Sequence, residues 1–227
     1  MRSLYTRTDF TYKERIMISE KMLDSLREDI SGKMSAKRFF HTAEVEKMAA
    51  YIGELYAPEL VTELRAAALL HDITKEYPTP LQLSICHDEG VELEADAIFA
   101  PKTLHARTAA ALIPKTYPEF ATETVISSVR WHTTGREGMT VAEKIIYLAD
   151  YIDMSRTFAD CVRLREYFNS KDVSSLSNEE RDEHLTRTLI TSFDMTMRGL
   201  LEEGLPISRD SVEARNALVR ELMTKSK

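Results

Sequence analysis

The sequence predicts an all-α protein, a helical bundle without a sheet, and three observations carry that expectation. Only 7 Gly and 7 Pro interrupt 227 residues. Good helix formers (Ala, Leu, Glu, Lys and Met) fill the stretches between the breaks. Apolar residues recur at spacings of three and four, and no alternating run of strand type stands out.

Taken in order, Ile16, Glu20, Leu23, Arg27 and Ile30 mark an imperfectly amphipathic first helix, broken at Ser31 and Gly32. A second covers about 36–56, with Val45, Met48, Ile52 and Leu55 on one stripe, and ends before Pro58. A third is expected over 59–75, stopping near YPTP. LQLSICHDEG reads as a short helix ending at Gly90, and HARTAAALI as another ending before Pro114. Residues 118–132 and 140–153 predict two more, separated by the loop HTTGREGM. After a helix around 160–168, the polar segment NSKDVSSLSNEE reads as a connection. Closing helices are expected over about 179–203 and 209–225, on either side of EEGLPIS. No internal repeat is visible. The expected organisation is one helical domain over 13–227, with residues 1–12 as a loosely attached extension.

Composition narrows the function classes. Hydrophobic content of 43% and charged content of 30% are those of soluble globular proteins. The longest apolar runs, such as AAALL, are too short to cross a bilayer, and MRSLYTRTDF has no apolar leader core, so the expectation is a cytoplasmic, unprocessed protein with no membrane partner. A net charge of −7 argues against a nonspecific grip on nucleic acid, while leaving room for a local basic pocket that takes a small polyanion. Cys86 and Cys161 have no CxxC spacing and read as ordinary half-buried thiols rather than disulfide partners or zinc ligands.

The chemistry lies in polar residues on faces that should be apolar. His41 precedes Val45 by four residues and Met48 by seven. His71 follows Ala68 by three and Leu64 by seven, His105 precedes Ala109 and Leu112, His132 follows Val129 and Val125, and Asp150 follows Ile146 and Tyr147. Residues three, four and seven apart share a helix face, so each of these groups points inward and needs a partner to offset its burial. A single inward histidine is most often a core residue bonded to a carbonyl. Five inward groups on separate elements, with Asp72 beside His71, are harder to explain that way, and all six are types that bind first-row metals. Neighbours on a helix diverge by about 100°, so Asp72 can reach the ion that His71 reaches and turn its second oxygen to another. Two ions held about 3.5–4 Å apart suit phosphoester or phosphoanhydride hydrolysis. His184, in the polar run EERDEHL, reads as solvated, and His87 as a capping or surface residue.

With these residues in place, the chain resembles the HD-domain metal-dependent phosphohydrolases. KRFFHTAEV, ALLHDITKE, RWHTTGREGM and EKIIYLADYI are similar to the YqeK-type branch, bacterial enzymes that split diadenosine tetraphosphate symmetrically into two ADP. The similarity runs from about residue 13 to the ARNAL segment, and DMSR and FAD stand where members often read EPxR and FPG. The resemblance implies an HD-type helical bundle with two divalent metal ions, iron first and manganese or cobalt as alternatives. His41, His71, Asp72 and Asp150 would hold one ion, and Asp72, His105 and His132 the other, with hydrolysis by a metal-bound hydroxide. It implies catalytic roles for Asp72 and Lys75, with Lys75 on phosphate rather than a surface lysine. Arg38 and Arg156 would be either phosphate donors or structural ion pairs, and Thr133, Thr134 and Gly135 either line the nucleotide site or stop a helix. Asp153 reads as a surface acid or a support behind the ligands. The implied partner is a dinucleoside polyphosphate or another nucleotide, and a homodimer is compatible with the family. The alternatives are another HD-type nucleotide phosphohydrolase or phosphodiesterase, and a metal-dependent nucleotide-binding regulatory protein.

Overall fold

A computed structural model describes residues 17–93 and 99–225; the proposed extension over 1–12 and Ile16 lie outside the described residues. Among these the fold is all-α, as the composition and periodicity predict. Its helices are α1 (Glu20–Ser31), α2 (Ala36–Tyr56), α3 (Val61–Leu70), α4 (Thr79–Asp88), α5 (Leu104–Thr116), α6 (Glu123–Trp131), α7 (Val141–Ile152), α8 (Ala159–Phe168), α9 (Asn178–Glu202) and α10 (Arg209–Lys225).

Helix starts follow local chemistry. The hydroxyls of Ser19, Ser35, Thr122, Thr140 and Ser177 each accept from an early backbone N–H of α1, α2, α6, α7 and α9, satisfying donors that the helix leaves without a partner. The short helix α3 is the hub. Leu64 and the run Ala66 to Leu70 are fully buried, because α3 packs against α1, α2, α6 and α7. Gly53 lets α2 come close: a Cβ there would meet Leu64 Cδ1 at 2.8 Å. Around this hub α5 packs on α6 and α4 on α5, while α8, α9 and α10 follow one another, α9 touching α7. One hydrophobic cluster reaches from Ile18 to Leu218.

Several boundaries differ from the sequence expectation. The third helix stops at Leu70 rather than 75, and residues 71–76 form turns. The His71 ring takes the Ala68 carbonyl at 2.6 Å, the acceptor a continuing helix would offer to the Asp72 amide. Tighter bonds from the amides of Ile73, Lys75 and Tyr77 to the carbonyls of Leu70, Asp72 and Thr74 follow, and Pro78 disfavours helix at Tyr77. Helix α5 runs through Pro114 to Thr116, since a proline in the final turn removes only one bond and the Tyr117 amide closes the helix on Ile113. The segment from 118 is first a 3-10 turn, and α6 begins after Thr122.

Three side-chain expectations are corrected. His184 is buried, not solvated: its ring stacks on Phe168 at 5.7 Å and Nε2–H donates to the Phe168 carbonyl at 2.9 Å. It shares an inward face with Thr188, one turn on, inside a helix start that composition alone makes look polar. Cys86 and Cys161 are buried rather than half-buried. His87 is exposed, as expected. No helix among the described residues is long and apolar enough to cross a membrane.

Candidate metal centre

Four histidines and two aspartates converge from five elements. His41 lies in the second turn of α2, His71 and Asp72 at the end of α3, His105 in the first turn of α5, His132 just past α6, and Asp150 near the end of α7. His71 and His132 stand at helix C-termini, where exposed carbonyls favour positive charge. Each imidazole directs Nδ1 to the carbonyl three residues earlier, Ala68 at 2.6 Å and Val129 at 2.7 Å. That bond places the proton on Nδ1 and leaves the Nε2 lone pair facing inward. The rings form a row, edge to face: His41 on His71 at 5.5 Å, His71 on His132 at 5.0 Å, and His132 on His105 at 4.9 Å.

Asp72 sits between the two ends of this row with its oxygens divided. Oδ2 lies 3.4 Å from His71 Nε2 and 3.8 Å from His41 Nε2. Oδ1 lies 3.2 Å from His105 Nε2 and 3.9 Å from His132 Nε2. Asp150 Oδ1 joins the first group, 3.0 Å from His41 Nε2 and 3.8 Å from His71 Nε2. All but Asp150 are buried.

The donor set fits a cation. Ligand atoms of His41, His71 and Asp150 lie within 4.8 Å of one another, and so do those of His71, Asp72 and His132. His41 Nε2, His71 Nε2 and Asp72 Oδ1 are buried and make no hydrogen bond. Such groups are costly unless something meets them, and imidazole nitrogen with carboxylate oxygen suits divalent first-row metals.

The proposed substrate contacts divide. Arg38 Nη1 donates to Asp72 Oδ2 at 2.6 Å and Arg156 Nη2 to Asp150 Oδ1 at 2.5 Å, so both guanidiniums border the cluster through ion pairs with its aspartates. Lys75 Nζ lies 3.2 Å from His105 Nε2, and the Thr133 hydroxyl is 3.3 Å from the same atom. Thr134 is buried with its hydroxyl on the Gly135 carbonyl. Gly135 has φ +63°, and a Cβ on it would meet Phe193 Cζ at 2.7 Å and the Ala214 Cβ at 3.0 Å. Gly135→Ala should therefore cost about 2–4 kcal/mol, combining left-handed strain with overpacking. A thermal melt should show a fall of roughly 5–15 °C.

Asp153 proves to be fully buried behind His41, and Ser155, absent from the sequence reading, joins it: the Ser155 hydroxyl is 3.0 Å from His41 Nδ1. The available signal was the D-x-S spacing, which favours a turn closed by the aspartate on its own backbone. The Ser155 amide does donate to Asp153 Oδ1 at 2.8 Å.

Without a cation the two ends of the row differ in protonation. Burial pulls the His41 pKa down, but the Asp150 and Asp153 carboxylates on either side of the ring outweigh it and raise it from 6.5 to about 9. Burial lowers His105, and it holds His132 well below the ordinary range, helped by the neighbouring histidines. A cation held by His41 at pH 7 would therefore expel its proton, while His105 and His132 are already neutral. Calorimetric titration with Mn²⁺ in Pipes and Tris should show a buffer-dependent enthalpy at pH 7, equivalent to about one proton released. That release should fade as pH rises through about 9, where His41 is already deprotonated.

The chain is 28% identical over 191 residues to a symmetrical bis(5'-nucleosyl)-tetraphosphatase of Bacillus subtilis, covering 84% of this chain and 94% of that protein. A Staphylococcus aureus protein of the same name is 30% identical over 135 residues, 59% of this chain and 68% of the relative. Among solved structures, a predicted HD superfamily hydrolase involved in NAD metabolism from Clostridium acetobutylicum superposes with a TM-score of 0.75 at 30% identity, covering 87% of this chain and 97% of that one. The family model described as HD domain matches residues 38–155, a span that contains His41, His71, Asp72, His105, His132 and Asp150, and the chain belongs to this family of hydrolases.

Proposed function

We propose that the chain hydrolyses dinucleoside polyphosphates and cuts diadenosine tetraphosphate symmetrically into two ADP. One observation carries the reading: the two oxygens of Asp72 face two different groups of imidazoles, the arrangement a bridging carboxylate needs. His41, His71, Asp72 and Asp150 would hold one divalent ion, and Asp72, His105 and His132 a second, with iron first and manganese or cobalt as alternatives. Such ions supply Lewis acidity that polarises phosphoryl oxygens and lowers the pKa of water.

The protein's own residues orient the polyphosphate. Arg38, Lys75 and Arg156 place three cationic groups around the ligands, enough to counter charge on phosphate oxygens through charge-assisted hydrogen bonds. Thr133 adds a hydroxyl beside His105. Burial lowers the Lys75 pKa, against a pull upward from Asp72 and Asp150, so its ammonium can give up a proton more readily than a surface lysine. Cleavage at the central anhydride adds one water across the bond between the second and third phosphorus atoms and leaves one ADP on each side. The names of the relatives support this substrate class, as does the likeness of the motifs around His41, His71, His132 and Asp150. Residues 13–227 would form the single HD-type domain that carries it.

The test is incubation of the purified chain with diadenosine tetraphosphate and Mn²⁺ or Fe²⁺, with products resolved by anion exchange. ADP alone is expected. Persistence of the substrate with both metals would overturn the reading, and AMP with ATP would show cleavage at a different anhydride.

A further inference from the structure

His41 differs from the other imidazoles in what stands behind its Nδ1. His71 and His132 turn Nδ1 to neutral carbonyls, and His105 has the Lys75 ammonium beside its ring, 3.2 Å from Nε2 and 3.4 Å from Nδ1. Behind His41 lie the Ser155 hydroxyl at 3.0 Å and the Asp153 carboxylate, with Oδ2 at 3.4 Å.

That carboxylate is built in. Asp153 is fully buried, and its Oδ1 accepts from both the amide and the hydroxyl of Ser155. Arg156 Nε lies 3.3 Å from Oδ2. Arg165 pins the loop by donating to the carbonyls of Ile152, Asp153 and Arg156. The Ser155 hydroxyl, whose own proton goes to Asp153 Oδ1, is left to accept from His41 Nδ1–H, and Asp153 Oδ2, which makes no hydrogen bond of its own, holds its negative charge 3.4 Å from the same nitrogen. A carboxylate in that position fixes the tautomer, holds the ring and makes Nε2 a better donor to a cation.

We propose that Asp153 and Ser155 are positioning residues for His41 and make the corner formed by His41, His71 and Asp150 the tighter of two cation positions. The inference rests on the reading of His41 as a metal ligand. The His41 corner gathers the carboxylates of Asp72, Asp150 and Asp153 against the guanidiniums of Arg38 and Arg156, whereas the other corner has the shared Asp72 alone against the Lys75 ammonium beside His105, and His132 is backed by a neutral carbonyl. The two positions therefore load in order, the His41 corner first.

Titration of the chelated full-length chain with Mn²⁺, with free Mn²⁺ read by electron paramagnetic resonance, should resolve a tight and a weaker class. Asp153→Asn should weaken the tight class by about 10–100-fold and leave the weaker within about twofold. Ser155→Ala should weaken it less, and Asp153→Glu should restore part of the loss. Long-range ¹⁵N histidine spectra of the metal-free chain should lose one Nδ1–H signature in Asp153→Asn while the melting curve is retained. Tight binding unchanged in Asp153→Asn, or two equal classes in the parent, overturns the proposal. If Asp153→Asn does not fold, Ser155→Ala decides, and unchanged tight binding there overturns it equally. His41→Ala separates the two levels: if it keeps the tight class, the ligand reading itself fails; if it loses the class while Asp153→Asn keeps it, only the positioning role falls.

Discussion

Asp72→Ala should remove the proposed turnover of diadenosine tetraphosphate, with kcat falling on the order of 10³-fold or more, because the charge stabilisation that bound metal ions would supply is worth several kcal/mol and each 1.36 kcal/mol is tenfold in rate. The expectation follows from geometry rather than from the residue's identity alone. Oδ2 faces His41 and His71 while Oδ1 faces His105 and His132, so one truncation takes an oxygen from both groups. Burial raises the Asp72 pKa, but His71 and His105 more than offset this and hold it well below the usual carboxylate range, so the native side chain is ionised throughout the working pH range. Asp72→Asn keeps the shape without the charge and should fail nearly as badly. Steady-state rates and bound metal measured on the same preparations check both variants. A rate within about tenfold of the parent would refute the bridging role.

Removal of metal should have the second large effect. A cation that binds only the folded chain adds about 2.7 kcal/mol at a hundred times its dissociation constant. For a chain of this size each kcal/mol moves the midpoint by roughly 2–4 °C, so the chelated protein should melt roughly 5–10 °C below the Mn²⁺-saturated one. The source of that gain is visible in the buried atoms His41 Nε2, His71 Nε2 and Asp72 Oδ1, which have no hydrogen-bond partner in the protein. Differential scanning fluorimetry with and without chelator gives the answer, and identical midpoints would mean that no cation binds this cluster.

Much of this was legible from helical spacing. His41 four residues before Val45, and His132 three after Val129, put polar groups on inward faces, and the structure buries both. His184 escaped the same logic because acidic neighbours made the start of α9 look solvated, although it too lies on an inward stripe. The misplaced end of α3 has a different cause. Periodicity reports a face and is silent on hydrogen-bond competition, and the bond between His71 and the Ala68 carbonyl ends the helix where the apolar pattern would let it continue.

By itself, then, the sequence determined an all-α chain, a set of inward imidazoles and carboxylates, and motifs that resemble one hydrolase family. These are properties of neighbours along the chain, where 3.6 residues per turn set which side chains share a face. Only the tertiary structure decided which oxygen of Asp72 meets which imidazole, that Arg38 and Arg156 rest on the carboxylates of Asp72 and Asp150, and that Asp153 stands behind His41. Those relations join residues on different helices, tens of positions apart, and their distances come from how α2, α3, α5, α6 and α7 pack, which no local pattern encodes.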